Sequence, residues 1–180
     1  MLPCAVMGQG RPVEVRLSDD QIRMAACCAG LRFVPGLRDQ RALPDGRPGG
    51  ERDTAMLAAA ACAEMALALW LNVFWDGANN CGKADLKLTD GTPVEVRYSA
   101  YSSARLHVYP HEADGSVFVL VTGGSAGRYI LRGWLLGSEA KLHPLRSQKE
   151  GRTAAHWVDP KDLRDIVELA EMSVVGEFLF

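Results

Sequence analysis

The stretch that most limits the fold is 83–97, Lys-Ala-Asp-Leu-Lys-Leu-Thr-Asp-Gly-Thr-Pro-Val-Glu-Val-Arg. Leu86 and Leu88 alternate with Asp85, Lys87 and Thr89; Val94 and Val96 alternate with Glu95 and Arg97. Successive side chains of a strand point to opposite faces, so two half-buried strands are expected, with Asp90-Gly91 turning the chain between them. A two-residue Asp90-Gly91 loop would set Glu95 opposite Leu86 and mix the two faces. A three-residue loop, Thr89-Asp90-Gly91, gives Gly91 the left-handed position and pairs Leu86 with Val94. It also sets Asp85 opposite Glu95 and Lys83 opposite Arg97, and it is the preferred register. Directly opposed residues have Cβ atoms about 4.5–5.5 Å apart. Two carboxylates that close repel unless a cation or a shared proton lies between them. A hard divalent ion with oxygen ligands fits such a pair.

Around this hairpin the chain reads as an α/β protein. A strand is expected at 11–17, then a helix from about 19 to 29, capped by Ser18 and ended by Gly30. Residues 35–53, rich in Pro, Gly, Arg and Asp, read as a long exposed loop. The main helix is expected at 53–71, where eight alanines between 55 and 68 favour helix and close packing. Residues 76–82 form a loop into the hairpin. Strands follow at 104–109, 117–122 and 129–136, with Gly123-Gly124-Ser125 as a hairpin loop. Residues 143–153 read as a polar, basic loop, and 160–171 as a last helix capped by Asp159 with Pro160 at its first position. With 180 residues, 48% of them hydrophobic, the chain has enough for one real core. The division expected is 1–52, an N-terminal strand, helix and loop, and 53–180, the core with its C-terminal helix.

Several chemistries find no support. Five cysteines, with no Cys-x-x-Cys and no matching histidine spacing, do not make a zinc site. Ser102, Ser103 and His107 define no nucleophile–base pair. Gly123–Gly127 joins two strands and opens no helix, so it is not a phosphate cradle. The longest apolar run, 55–75, is interrupted by Glu64 and Asn72 and reads as a buried helix, not a membrane span. The first ten residues do not resemble a signal peptide, and a reducing, cytoplasmic setting is expected. Net charge is −2, so bulk charge does not point to nucleic acid. Charge can be local, and 97–152 carries eight basic residues against four acidic ones, which reads first as an ordinary solvated surface and does not exclude nucleic acid.

Glu64 is the only side chain charged near pH 7 between Asp53 and Asp76. A charge in so apolar a helix needs a partner. Two readings fit: a glutamate bonded to a neighbouring arginine, or a third carboxylate aimed at the hairpin. Pro-Val-Glu-Val-Arg occurs at 12–16 as well as 93–97. The surroundings differ, so Glu14 and Arg16 read as outward-facing strand residues rather than a second site.

The order is thus a helix with Glu64, a strand with Asp85, and a strand with Glu95-x-Arg97. It resembles the PD-(D/E)XK nuclease superfamily, whose restriction-endonuclease-like fold is a mixed β-sheet flanked by helices. Gly133-Trp134-Leu135-Leu136-Gly137-Ser138-Glu139-Ala140 is similar to the same place in small phage-encoded members. The resemblance implies a metal-dependent DNA endonuclease of phage or prophage origin, acting in the host cytoplasm. It implies Mg²⁺ or Mn²⁺ on Asp85, Glu95 and the Val96 carbonyl, with Glu64 as a further acid and DNA as partner. It leaves open a homodimer, or a phage protein docking on the apolar 174–180. Where active members carry lysine this chain has Arg97, and an arginine side chain keeps its proton, so it clamps a phosphate but is no base. Lys83 could supply an amine instead. The alternative implied by Arg97 is an inactive nuclease fold that binds nucleic acid or protein.

Overall fold

The computed structural model describes residues 11–38, 51–77, 84–147 and 153–175. Strand β1, Val13–Arg16, comes first, with Glu14 and Arg16 exposed. Ser18 then opens helix α1, Asp19–Arg38, its hydroxyl accepting the Gln21 N–H. The helix does not stop at Gly30, which takes no left-handed conformation. The turn beyond Gly30 carries Arg32, whose ion pair with the next helix rewards the continuation. So the expected helix end at Gly30 is corrected, and with it the start of the exposed loop. Residues 39–50 lie outside the described residues.

Helix α2, Glu51–Leu71, packs along α1. Every residue from Ala61 to Ala68 is buried, Glu64 included. A helix apolar all round sits between layers rather than on a surface. Below it lies a five-stranded mixed sheet, order β1-β6-β5-β3-β2, built from β2 (Leu86–Lys87), β3 (Pro93–Ser99), β5 (Val117–Gly123) and β6 (Arg128–Leu136) besides β1. Strands β3 and β5 run parallel and the other neighbours antiparallel. A parallel pair needs a crossover. Here the crossover contains β4 (Leu106–Val108), which joins β8 (Ala155–Val158) and β7 (Leu145–Arg146) in a second, three-stranded sheet. This second sheet and strand β8 were not among the expected elements.

The large sheet is covered on both faces. Val94, Val96, Val117, Val119, Val121 and Leu131 pack with α1, α2 and helix α4 (Ile166–Val175). Phe118, Leu120 and Leu135 pack with Leu106, Val108, Val158 and Leu163. This is why β5 reads Val-Phe-Val-Leu-Val without alternation: both its faces are buried.

The Gly133-Trp134 segment joins the two halves. Arg132 is the extra residue of a β-bulge, and Gly133, with φ 141°, faces the backbone carbonyl of Arg164 so closely that an added Cβ would lie 2.5 Å from it. That approach lets Trp134 and Arg164 exchange two backbone hydrogen bonds of 3.2 and 3.0 Å. The expected helix over 160–171 is therefore split. Pro160–Asp162 is a single 3₁₀ turn, Arg164 is extended, and α4 starts only at Ile166. Its cap is Asp165, which accepts the Val167 N–H at 3.0 Å. Asp159 makes no side-chain cap and pairs instead with Arg105. Residues 137–140 form one short turn, α3, where Glu139 accepts the Leu136 N–H at 3.0 Å. Among the described residues no helix is long and apolar enough to cross a membrane.

Candidate functional site

The hairpin has the register that alternation favoured. Leu86 pairs with Val94 and Lys87 with Pro93, and Leu88 closes the loop by bonding the Thr92 carbonyl at 3.0 Å. Gly91 holds φ 86°. Leu86 and Val94 share the buried face, and the ladder ends with that pair. Strand β2 is nevertheless only two residues long. The chain bends at Asp85, whose carboxylate takes the place of a ladder acceptor by bonding the Val96 N–H at 2.8 Å.

The Asp85 carboxyl is pushed up to about 7. Burial is the main cause, and the charges of Glu64 and Glu95 add to it; the Val96 N–H and Arg97 act the other way. Glu95 is also raised, first by burial and then by Glu112 and Glu64, against the opposing pull of Arg97. The three acids therefore sense one another. They differ in their partners. Among the described residues Asp85 has no ion-pair partner, whereas Glu64 and Glu95 each have an arginine.

Glu64 is 6% exposed and fully engaged. Arg32 grips both its oxygens, at 2.8 and 2.7 Å, and Trp75 donates its indole N–H to one of them at 3.0 Å. Arg32 also lies 5.8 Å from the Trp75 ring centre and bonds the Gly77 carbonyl at 3.1 Å. This is the glutamate–arginine reading of Glu64. Arg97 is held just as firmly. It pairs with Glu112 and, at 3.5 Å, with Glu95, and it stacks 5.2 Å from the Phe118 ring centre. Its side chain is 15% exposed, and its Nε–H is buried without a hydrogen-bond partner. Glu112 is fixed in turn by the Tyr109 N–H at 2.7 Å, and its own carbonyl accepts from Lys141 at 2.5 Å. Lys83 lies outside the described residues.

Arg32, Trp75 and Glu112 were not foreseen. Arg32 was hidden behind Gly30, read as a helix end. Glu112 sits in a turn, Pro110–Gly115, where an acidic residue is ordinarily solvated. The one available signal was the lone Glu64, which demanded a cation from somewhere.

Among the described residues no three His, Cys, Asp or Glu side chains gather closely enough to hold a metal ion. Two carboxylates offer the oxygen donors a hard cation takes: Asp85, half-buried and without an ion-pair partner among the described residues, bonds the N–H of Val96, the residue after Glu95. Glu64 fits less well, because ligation would break its bond to Arg32. Comparison with protein-family models, with curated proteins and with solved structures found no match to this chain.

Proposed function

We propose that the chain is a PD-(D/E)XK-like, phage-encoded protein that acts on DNA phosphodiester bonds in the host cytoplasm, with Mg²⁺ or Mn²⁺ held by Asp85, Glu95 and the Val96 carbonyl. The observation carrying this reading is the Asp85 carboxylate, which bonds the N–H of Val96, the residue after Glu95, and has no ion-pair partner among the described residues. The mixed sheet under α2 agrees with a restriction-endonuclease-like arrangement. Such an ion, when bound, supplies an activated water and neutralises charge on the phosphate. The chain's own part is to bind and orient. Arg97, on the same strand face as Glu95, offers a planar fork to a phosphate oxygen pair. It can do so only if Glu112 yields part of its hold. Lys83 remains the candidate amine.

The test is cleavage of plasmid and branched DNA with Mg²⁺ or Mn²⁺. Asp85→Ala and Glu95→Ala are each expected to lower cleavage by about 100-fold or more. Activity surviving both substitutions removes this site from the reaction.

A second reading has its own support. Both arginines of the site are clamped, Arg32 on Glu64 and Arg97 on Glu112 and Glu95, so two of the three acids are neutralised from within. That suits a nuclease fold kept for binding DNA or protein without catalysis. Under this reading calorimetry detects no divalent-ion binding while DNA binding persists. Arg97→Lys separates the two: it raises cleavage if only the lysine is missing, and leaves a silent module silent.

A further inference from the structure

Between the two sheets, past the far end of β3, opens a cavity of about 460 Å³. Its size falls within the ~300–1,000 Å³ of small-ligand pockets. Arg97, Ser99 and Tyr101 line it from the β3 side, and Arg105, His107 and Trp157 from the small sheet. None of its ten lining residues is acidic. Two kinds of chemistry meet there.

One is anion recognition. Arg97 and Arg105 bring guanidinium forks, which match the oxygens of a phosphate, and Ser99 brings a hydroxyl. Arg105 is half exposed, tied to Asp159 at 2.7 Å near the surface, so an anion can compete for it. Arg97 carries the unpartnered Nε–H. A buried donor left unpaired is costly, and a shift of the guanidinium towards an anion in the cavity would offer it a bond.

The other is aromatic. The His107 and Trp157 rings lie 5.3 Å apart, tilted by 33°, and Tyr101 stands 76% exposed at the cavity wall. Burial and the nearby Arg97 hold His107 down to about 4, so its ring is neutral near pH 7 and stacks as an aromatic, not as a cation. Rings of this kind are platforms for nucleobases.

We infer that this cavity binds one nucleotide unit, with the phosphate towards Arg97 and Arg105 and the base against Trp157 and Tyr101. The choice of a nucleotide over another aromatic anion rests on the proposed action on DNA; the binding itself needs neither metal nor cleavage. The nucleotide could be a free monophosphate or a unit of a single strand, and both share this chemistry.

The experiment is a tryptophan-fluorescence titration of the full chain in chelator, with thymidine monophosphate, thymidine, inorganic phosphate or a short oligothymidylate. Thymidine monophosphate is expected to quench saturably at up to ~1 mM. Thymidine and phosphate alone should bind at least about tenfold more weakly. The quench should vanish in Trp157→Phe, and Arg105→Gln should weaken binding about tenfold. Asp159→Asn, which releases Arg105, should tighten binding, a direction that mere loss of structure would not give. Tighter binding of the oligothymidylate than of the monophosphate identifies the strand as the source; equal binding identifies the free nucleotide. No quench, an equal response to thymidine, or a quench that survives Trp157→Phe overturns the inference. Run without metal, these outcomes are separate from the cleavage assay, so either proposal can fail alone.

Discussion

Glu64 and Arg32 form the most buried ion pair described, and the consequence of breaking it is asymmetric. Removing one partner leaves a desolvated charge, which costs about 3–5 kcal/mol, whereas removing both can be nearly neutral. In urea unfolding, Arg32→Ala is expected to destabilise by about that amount, and Arg32→Met with Glu64→Leu by much less. Equal losses from the single and double variants would show that packing, not charge, dominates here. His107 gives a second test. Its folded value of about 4 lies below the ordinary 6.5, so between those values the unfolded chain binds more protons. Stability from this group is therefore full above pH 6.5 and lost as pH falls towards 4. At about 1.4 kcal/mol per pKa unit, the loss approaches roughly 3–4 kcal/mol. Arg97 on β3 is the charge facing His107, while Tyr109 and Trp157 flank it with rings. His107→Gln should abolish this component, seen as a smaller gap between unfolding midpoints at the two ends of the window. An unchanged gap would remove His107 as its source.

At the scale of elements, two glycines with positive φ should respond differently. A Cβ at Gly91 meets nothing, so Gly91→Ala incurs only left-handed strain, about 1 kcal/mol. At Gly133 the same atom would strike the Arg164 carbonyl and Leu163, so Gly133→Ala should cost about 2–4 kcal/mol and part Trp134 from Arg164. Thermal unfolding of the two variants checks the order. The hairpin was legible in the sequence because one face is buried and a slip of one residue would bury Glu95. Strand β5 was legible as an apolar run between turn signals. The small sheet was not. Leu145 and Arg146 are both exposed, and a two-residue strand has no period to read. The helix ends at Gly30 and Asp159 were misread for a shared reason: local capping preference lost to tertiary partners, Glu64 for the first and Trp134 for the second. The Leu86–Val94 register was visible, but the arginine clamps were not, because Arg32 and Glu112 lie 32 and 15 positions from their partners.

Across the whole molecule, one sheet separates two cores of unequal size. The larger lies under α1, α2 and α4, and the smaller under nine residues of strand in β4, β7 and β8. Stability is not uniform in such an arrangement. In hydrogen exchange the Val119 and Val121 amides should open only with global unfolding, while Leu145 and Arg146 exchange much faster. Equal protection would show that the two layers unfold as one. The sheet's outer edge carries a further consequence, in time. Val13 pairs with Leu131 and Arg16 with Arg128, so more than 100 residues separate the edge strand from its neighbour. At the ribosome's ~5–20 residues per second, β1 waits on the order of ten seconds before β6 exists to receive it. During that interval α1 and α2 can already pair, with Val13 and Val15 exposed beside them. Strand β1, made long before β6, can be seated in the sheet only after it.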